Sequence, residues 1–501
     1  MPISFSSIPA DWQLPLYYVE VDPSKAGQAV LDQPAMLIGQ KFAAGSAVAD
    51  TPIAVGSLAQ AQAYFGIGSM LERMVATFFK NNQAQELWCL PLAEPGAGVA
   101  ASGSIALTGP STAAGTLSVY IANQRVQIPV AAAASATTIG AALAAAINAM
   151  TTLPVTAVNT TGTVALTARW KGLTGNDIHV GINLGGVAAG EATPAGVGVA
   201  ITAMASGTAA PSLTIATAAL GDDPYEYVAF PFTDSTSLNA IEAEFGFGDA
   251  GRWGWMRQLY GHIFSAARGT YSALITLGAA RNSGVTSILG IEVATPTPIW
   301  EIAAAYTAQA ARALLNDPAR PLQTLPLLGV SAAAKGSRFS MLERNTLTKT
   351  GIAVTAIQAD GTVQISREAT TYQTNTLGTA DTAYNLVTTL ATLARLFRNQ
   401  KQAITSKYAR HKLANNGTRF GAGQAIVTPN VIRAELVAQY ETDEFNGLVE
   451  NADAFASNLI VERDSSNPNR VNVLYPPDLV NQLRMFAVLA QFRLQYTAAA
   501  A

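Results

Sequence analysis

Three histidines are the residues of this chain best suited to acid–base catalysis: His179, His262 and His411. A Ser-His-Asp hydrolase needs a histidine as its base, oriented by a carboxylate, and a serine in an exposed turn. His262, in "YGHIFSAARG", falls on a predicted α/β strand, but the chain has no G-x-S-x-G, H-E-x-x-H or P-loop motif. We therefore favour a buried, non-catalytic His262, and an α/β hydrolase-like enzyme that uses His262 is the alternative.

Two further patterns could bind a nucleotide or a metal, and both are better explained as turns. "GFGDAG" (246–251) matches G-x-G-x-x-G, which should follow a strand, but here it follows the helical stretch "LNAIEAEF". Asp222 and Asp223 precede a proline, as turn residues often do. The single cysteine, Cys89, lies in the apolar run "ELWCLPL" and excludes an internal disulfide. The sequence thus predicts no catalytic residue, no cofactor and no metal site.

Charge is unevenly distributed towards the C-terminal end of the chain. Residues 395–419 contain seven basic residues and no acid: Arg395, Arg398, Lys401, Lys407, Arg410, Lys412 and Arg419. Residues 435–464 contain eight acids and one arginine. Complementary patches of this kind orient protein partners, and a solvated face is the alternative. Because few aromatic residues interleave with the basic ones, we predict no direct binding of nucleic acid.

The predicted strands and helices of the chain follow an α/β pattern that is interrupted once. Buried-strand runs such as "PAMLIGQ" alternate with helical stretches over 29–92 and 211–375, which predicts a multi-domain α/β fold with a mostly parallel sheet as its core. Residues 93–210 are poor in charge and lie between Gly- and Pro-rich stretches, which predicts an inserted β-rich domain at the surface. Asp360-Gly361 predicts a hairpin turn, and 376–484 are predicted to form a C-terminal α+β domain.

Composition indicates the environment in which the protein folds and works. The 501 residues are 49% hydrophobic and only 13% charged, with a formal net charge of -3. A surface this poor in charge is explained either by burial between subunits or by a composition rich in Ala, Thr and Gly. The first residues have neither the basic start nor the apolar core of a signal peptide. The alanine-rich run 131–150 is too polar to cross a bilayer. We therefore expect neither a secretory signal nor insertion into a membrane.

Each end of the chain carries a strand-like segment that is isolated along the sequence. "LPLYYVEVD" (14–22) alternates between two faces, and "MFAVLAQFRLQY" (485–496) has one strongly apolar face. An unpaired strand invites association, because its backbone groups lack partners. We predict an N-terminal arm over 1–28 and a C-terminal arm over 485–501, and we ask whether they pair with this chain or with another.

Four stretches carry a resemblance to a known family: the opening "ISFSSIPADWQLPLYYVEVD", then 281–330, 338–398 and 471–492. The most specific block has Glu343-Arg344 before Gly351, and it continues with residues at a characteristic spacing: Arg367, Thr370, Thr371, Tyr372, Asp381 and Tyr384. Together these stretches cover just under a third of the chain. They resemble the contractile tail sheath proteins of Mu-like bacteriophages and, more distantly, the sheaths of R-type pyocins and type VI secretion systems.

The resemblance implies a structural protein of the virion tail, not an enzyme, that is assembled in the bacterial host cytoplasm. Copies would stack as rings around a tail tube and contract to drive the tube through the host envelope. The implied partners are the chain itself, the tube protein, and the baseplate and tail terminator proteins. The middle domain would have a subtilisin-like fold without catalysis. A non-contractile surface-array or adhesin protein is a weaker alternative.

In this family, terminal arms add strands to the C-terminal sheet of neighbouring subunits. The resemblance therefore implies an acceptor at 459–464 and 471–475, and interface residues in both arms: Leu16, Tyr17, Tyr18, Val19, Val21, Phe486, Val488, Phe492, Leu494 and Tyr496. A sheath must also grip its tube reversibly, and a charged contact suits that need. Four basic residues at helical spacing lie on or near one helix face, which we expect to meet the tube: Arg395, Arg398, Lys401 and Lys407.

Overall fold

The computed structural model describes residues 33–494 of the chain. The strands in chain order are β1 (Ala35–Gln40), β2 (Ile53–Ala54), β3 (Leu87–Leu92), β4 (Ala100–Thr108), β5 (Gly115–Ile121), β6 (Gln124–Val130), β7 (Val155–Thr160), β8 (Thr163–Lys171), β9 (Val180–Ile182), β10 (Gly198–Ala205), β11 (Tyr227–Ala229), β12 (His262–Gly269), β13 (Thr286–Glu292), β14 (Ile352–Ile357), β15 (Val363–Arg367), β16 (Lys412–Leu413), β17 (Ile426–Val427), β18 (Ile460–Arg463) and β19 (Val471–Leu474). The helices are α1 (Leu58–Phe65), α2 (Met70–Asn81), α3 (Ala136–Ala149), α4 (Thr214–Ala219), α5 (Ser235–Phe245), α6 (Tyr271–Ala279), α7 (Ile299–Asn316), α8 (Met341–Lys349), α9 (Val387–Tyr408), α10 (Pro429–Phe445) and α11 (Ala452–Asn458).

An eight-stranded sheet in the order β15-β14-β13-β12-β11-β1-β3-β2 forms the centre of the molecule. The six strands from β14 to β3 run parallel, and β15 and β2 pair antiparallel at the two edges. The inner strands are buried on both sides, as β1 and β13 show, and even the polar Thr286, Ser287 and Glu292 of β13 are buried. The predicted mixed α/β fold with a mostly parallel sheet is confirmed.

Helices cover both faces of this sheet. The Ser287 hydroxyl bonds to Tyr306 of α7 at 2.8 Å, so this side chain of β13 points towards α7. Gly290 lies three residues further along the strand and therefore points the opposite way, where a Cβ atom would meet Leu274 of α6. Helix α8 begins with a capping box, in which Ser340 and Glu343 satisfy each other's backbone N–H groups.

The chain leaves the central sheet after β3 and returns to it at β11. In between, β10-β4-β8-β7 and β6-β5-β9 form two antiparallel sheets, and α3 and the short α4 are the α-helices of this stretch. Their buried side chains, such as Ile105 and Leu166, are continuous with the core of the central sheet. Val99 and Thr208 form an isolated bridge, so the outgoing and returning chains lie side by side.

Helix α9 connects two hydrophobic cores. Val387 and Leu390 at its start belong to the large core, whereas Leu396 belongs to a second, smaller core with α10, α11 and the β18–β19 hairpin. The turn predicted at Asp360-Gly361 is confirmed by the antiparallel pair β14–β15, with Gly361 at a φ of 91°. The hairpin predicted at 459–464 and 471–475 is also present, as β18 and β19.

The strand predicted at 485–496 is not formed over 485–494, the part of it that the structure describes. Residues 485–494 have no regular secondary structure, and 495–501 lie outside the described residues. The reason is that a strand needs a partner for its backbone groups, and no strand of residues 33–494 pairs with this segment. The N-terminal prediction, including Leu16, Tyr17, Tyr18, Val19 and Val21, likewise falls outside the described residues.

Candidate assembly interface

The C-terminal segment exposes large apolar side chains to solvent. Phe486 is 84% exposed, Val488 70%, Phe492 85% and Leu494 97%. These residues are even-numbered, so in an extended chain they share one face. Soluble monomers rarely display so many large apolar groups in a row, and such a surface is typical of a protein-binding segment.

The β18–β19 hairpin offers unpaired strand edges to such a segment. Its register pairs Val461 with Val473 and Arg463 with Val471, so these four side chains share one face of the hairpin. Ile460 lies on the opposite face and is 52% exposed. Within the described residues the hairpin has two strands, which leaves each of them with one free edge.

An apolar groove of about 810 Å³ lies beside this hairpin. Its floor is one face of α9, and two β19 residues form part of its wall; the main contributors are Leu393, Phe397, Ile404, Tyr408, Val471 and Val473. The four α9 residues are half-buried, because the described chain covers this helix face incompletely. A strand added at the free edge of β19 would lie near this groove and could place alternate side chains in it.

Two of the four predicted tube-facing residues are engaged inside the chain. The guanidinium of Arg398 forms an ion pair with Glu226, with Nη1 to Oε1 at 3.0 Å, and donates to the Leu259 carbonyl at 3.1 Å. Arg395 Nη2 donates to the Leu315 carbonyl at 2.8 Å. Arg395 and Arg398 thus bind acceptors on other elements of the same chain, and contact of either residue with a tube stays a prediction.

Lys401 and Lys407 are the exposed members of the predicted set. Lys407 Nζ lies 2.5 Å from Glu435 Oε1, and this hydrogen bond raises the pKa of the lysine. An acid of the 435–464 region thus meets a base of the 395–419 region within one chain. Lys401 lies at the rim of the apolar groove. Contact of either lysine with a tube stays a prediction.

Among residues 33–494, His262 has no hydrogen-bond partner that could orient it as a base. It is 5% exposed, and neither ring nitrogen has a hydrogen-bond partner among the described residues. Burial lowers its pKa to about 3, so the imidazole is neutral at pH 7. A catalytic triad would need a carboxylate at one nitrogen and a serine at the other.

The other patterns with possible chemistry also have structural roles. "GFGDAG" forms a loop after α5, and Asp222 is paired with Arg257 at 3.0 Å. Cys89 is buried in β3, and burial raises the pKa of its thiol. No cluster of three or more metal-ligating side chains occurs within residues 33–494. In that same range, no helix is both long and apolar enough to cross a membrane.

Sequence reasoning missed the groove, because its residues come from distant parts of the chain. Phe247, Tyr384, Phe397 and Val473 all line it, although more than 200 positions separate the first from the last. One signal was present in the sequence. The apolar residues Leu393, Phe397, Ile404 and Tyr408 recur on one helix face, which must be covered by something.

Comparison with protein families defines the class of protein. Residues 206–371 match the family model for the phage tail sheath protein central domain, and 379–493 match the phage tail sheath C-terminal domain. The chain is 41% identical over 494 residues to the Mu-like prophage FluMu tail sheath protein of Haemophilus influenzae, which covers 98% of this chain and 100% of that protein. The chain therefore belongs to the phage tail sheath family. It is a tail sheath protein of a Mu-like phage, a structural component of the virion.

Two solved structures are similar to the chain at lower identity. The sheath tail protein of Desulfitobacterium hafniense has a TM-score of 0.47 and 11% identity, and the match covers 94% of this chain and 97% of that one. A chain of the anti-feeding prophage baseplate in its contracted state has a TM-score of 0.45 and 13% identity, with 96% and 99% covered.

Proposed function

We propose that this protein polymerises into stacked rings around a tail tube and contracts to drive the tube through the host envelope. The observation that carries the proposal is the exposed apolar segment 485–494 in a chain that also has free strand edges beside an apolar groove. One copy can supply the segment while the next supplies the acceptor. A pairing of this kind repeats from copy to copy and so builds a polymer.

The acceptor in this proposal is the hairpin of a neighbouring copy. Phe486, Val488 and Phe492 enter the groove over α9 while the backbone of the arm pairs with a strand edge. The N-terminal arm, with Leu16, Tyr17, Tyr18, Val19 and Val21, adds a second strand in the same way, and Leu494 and Tyr496 complete the C-terminal arm. Apolar burial supplies the binding free energy, and backbone pairing supplies the register.

The remaining partners follow from this assembly. We assign the tube contact to the exposed bases Lys401 and Lys407, while the baseplate and tail terminator proteins bind the two ends of the polymer. No cofactor or nucleotide is needed, since contraction releases the free-energy difference between two packings of the same subunit. The central sheet serves as a subtilisin-like scaffold without catalysis, and assembly takes place in the host cytoplasm.

Electron microscopy of the purified protein tests the proposal directly. The full chain should form tubes in negative stain, whereas a chain ending at Arg484, or one lacking residues 1–22, should stay folded and monomeric. A non-contractile array protein would form flat lattices, and a hydrolase-like enzyme would not polymerise.

The two faces of the arm give a matched control. Phe486→Ser with Phe492→Ser should abolish tubes, because both side chains lie on the face that enters the groove. Ala487→Ser with Leu489→Ser changes the opposite face and should leave tubes intact. Normal tubes from the first double variant, or from either truncation, would contradict the proposed role of the arms.

A further inference from the structure

We propose that Arg484 is a positioning residue that fixes where the C-terminal arm leaves the subunit, and that Glu368 holds it there. This inference rests on the proposed function, because it concerns the same arm. It adds a residue pair outside both the arm and its acceptor, which joins the end of the chain to the residue that follows β15 of the central sheet in the donating subunit.

The pair is bidentate and mostly buried. Arg484 Nη1 lies 3.0 Å from Glu368 Oε2, and Nη2 binds the other carboxylate oxygen. The arginine side chain is 14% exposed and the glutamate side chain 0%. Two parallel hydrogen bonds between planar groups define orientation as well as distance. The guanidinium is therefore held in one geometry.

Glu368 is itself rigidly placed. It directly follows β15, an edge strand of the central sheet, and its carboxylate also accepts from the Leu322 backbone N–H at 3.4 Å. Its own carbonyl accepts from the N–H of Val387, the first residue of α9. The ion pair consequently ties the end of the chain to the large body of the subunit.

The chain is also held on its way to Arg484. The Glu450 N–H donates to the Asp478 carbonyl at 2.9 Å, and the Val480 N–H donates to the Leu448 carbonyl at 3.3 Å. Gln482 Nε2 then donates to the Ala319 carbonyl at 2.5 Å. Leu483 is already 74% exposed, and from Met485, which is 82% exposed, every residue through 494 is exposed.

A fixed exit point limits how far the arm can reach. The segment 485–494 spans at most roughly 34 Å when extended, at about 3.4 Å per residue. Release of the chain back to Val480 would add four residues, or roughly 14 Å of slack. With the pair intact, the donating and accepting subunits are held at a defined spacing. Without it, the same arm would reach the same groove from a range of positions.

The rate of cleavage by trypsin after Arg484 measures how firmly Glu368 holds this residue in the unassembled protein. Glu368→Gln removes the charge but keeps the size of the side chain, and Arg484 remains as a cleavage site. Cleavage after Arg484 should become at least about tenfold faster, because loss of a buried ionic partner favours local opening. Glu441→Gln, on the exposed side of α10, is the matched control and should leave this rate unchanged.

The regularity of subunit spacing in the tubes measures whether the ion pair positions the arm. Glu368→Gln tubes should form but lose the layer lines that report a regular subunit spacing. Arg484→Lys keeps the positive charge and the trypsin site but loses the bidentate geometry. Its resistance to trypsin and the order of its tubes should therefore lie between those of the wild type and those of Glu368→Gln. If Glu368→Gln fails to fold, the same two readouts on Arg484→Lys decide, with intermediate values expected.

Two results would overturn the inference. Unchanged cleavage in Glu368→Gln would show that the pair does not hold the chain, and fast cleavage with well-ordered tubes would show that it does not position the arm. Failure of the proposed function looks different. In that case the wild-type chain forms no tubes, while the trypsin assay still reports whether Glu368 holds Arg484.

Discussion

The guanidinium of Arg398 joins two parts of the chain that lie far apart in sequence. Its partner Glu226 is 172 positions away and 5% exposed, and the guanidinium also lies over the ring of Tyr260 at 5.1 Å. Burial by itself would lower the pKa of Arg398, yet the ion pair with Glu226 raises it. The residue thus stabilises the contact between α9 and the start of β11.

Arg398→Ala should lower the free energy of unfolding by about 3–5 kcal/mol, because Glu226 would keep a buried charge without its partner. Lys401→Ala, one turn further along α9 and exposed, should change it by no more than about 0.5 kcal/mol. Urea unfolding followed by circular dichroism measures both. Equal, small effects would mean that solvent reaches Glu226 in the folded protein.

The buried imidazole of His262 makes stability depend on pH. Its pKa is about 3 in the folded protein and near 6.5 in the unfolded chain, so below pH 6.5 the unfolded chain binds a proton that the folded one does not. Stability therefore falls as the pH falls from about 6.5 towards 3. The expected loss between pH 7 and pH 5 is about 2 kcal/mol from this residue.

His262→Gln should remove that part of the pH dependence, as measured by urea unfolding at pH 7 and pH 5. His179 also has a lowered pKa, about 4, from burial and from the charge of Arg268, so some dependence on pH should remain in the variant. An unchanged difference between the two pH values would show that His262 stays neutral in the unfolded state or is charged in the folded one.

At the scale of elements, the stretch between β3 and β11 is bound tightly to the central body. Asp177 accepts from Arg268 Nε at 2.5 Å and from the Ile299 N–H at the start of α7 at 2.6 Å. The rings of Trp170 and Trp300 pack edge to face with centroids 5.3 Å apart. These contacts are buried, so this stretch contributes to the stability of the central fold.

Deletion of residues 100–207, with Val99 and Thr208 joined by two glycines, should give a folded chain that is less stable by about 3–5 kcal/mol. The bridge between Val99 and Thr208 allows a short connection, but Arg268 loses its carboxylate partner. Adding Arg268→Met to the deletion should recover part of the loss, as thermal unfolding would show. A deletion as stable as the full chain would mark the stretch as an independent surface domain.

At the scale of the whole molecule, the two proposed contacts differ in their physical basis. Arm exchange buries apolar side chains such as Phe486 and Phe492, whereas the proposed tube contact relies on Lys401 and Lys407. Salt screens exposed charges over about 3 Å at 1 M, compared with about 10 Å at 0.1 M, and leaves apolar burial intact. The two contacts should therefore respond differently to ionic strength.

Self-assembly into tubes should persist in 1 M NaCl, while binding of the sheath to purified tail tubes should weaken between 0.1 and 1 M. Co-sedimentation measures both. Lys401→Ala with Lys407→Ala should weaken tube binding at low salt and remove its salt dependence, with self-assembly unchanged. Tube binding that changes neither with salt concentration nor with these substitutions would show that the contact lies elsewhere on the subunit.

The sequence by itself determined the elements and the family. Runs rich in apolar residues, such as Ala35–Gln40 and Thr286–Glu292, predicted buried parallel strands, because a strand covered on both faces has apolar side chains on both. Asp360-Gly361 predicted its hairpin, since the turn needs a residue that accepts a positive φ. The spacing of residues between Glu343 and Tyr384 indicated a tail sheath protein. All of these signals are local along the chain.

Only the tertiary structure decided which residues meet. It assigned Arg398 to Glu226 and Arg484 to Glu368, and it assembled an apolar groove from segments around Phe247, Phe397 and Val473. It also showed that 485–494 form no strand in a single chain. The physical reason is that periodicity in a sequence records which face of an element is apolar, but not what covers that face. A charged side chain has the same local signature whether it binds water, a partner or a buried carboxylate 172 positions away.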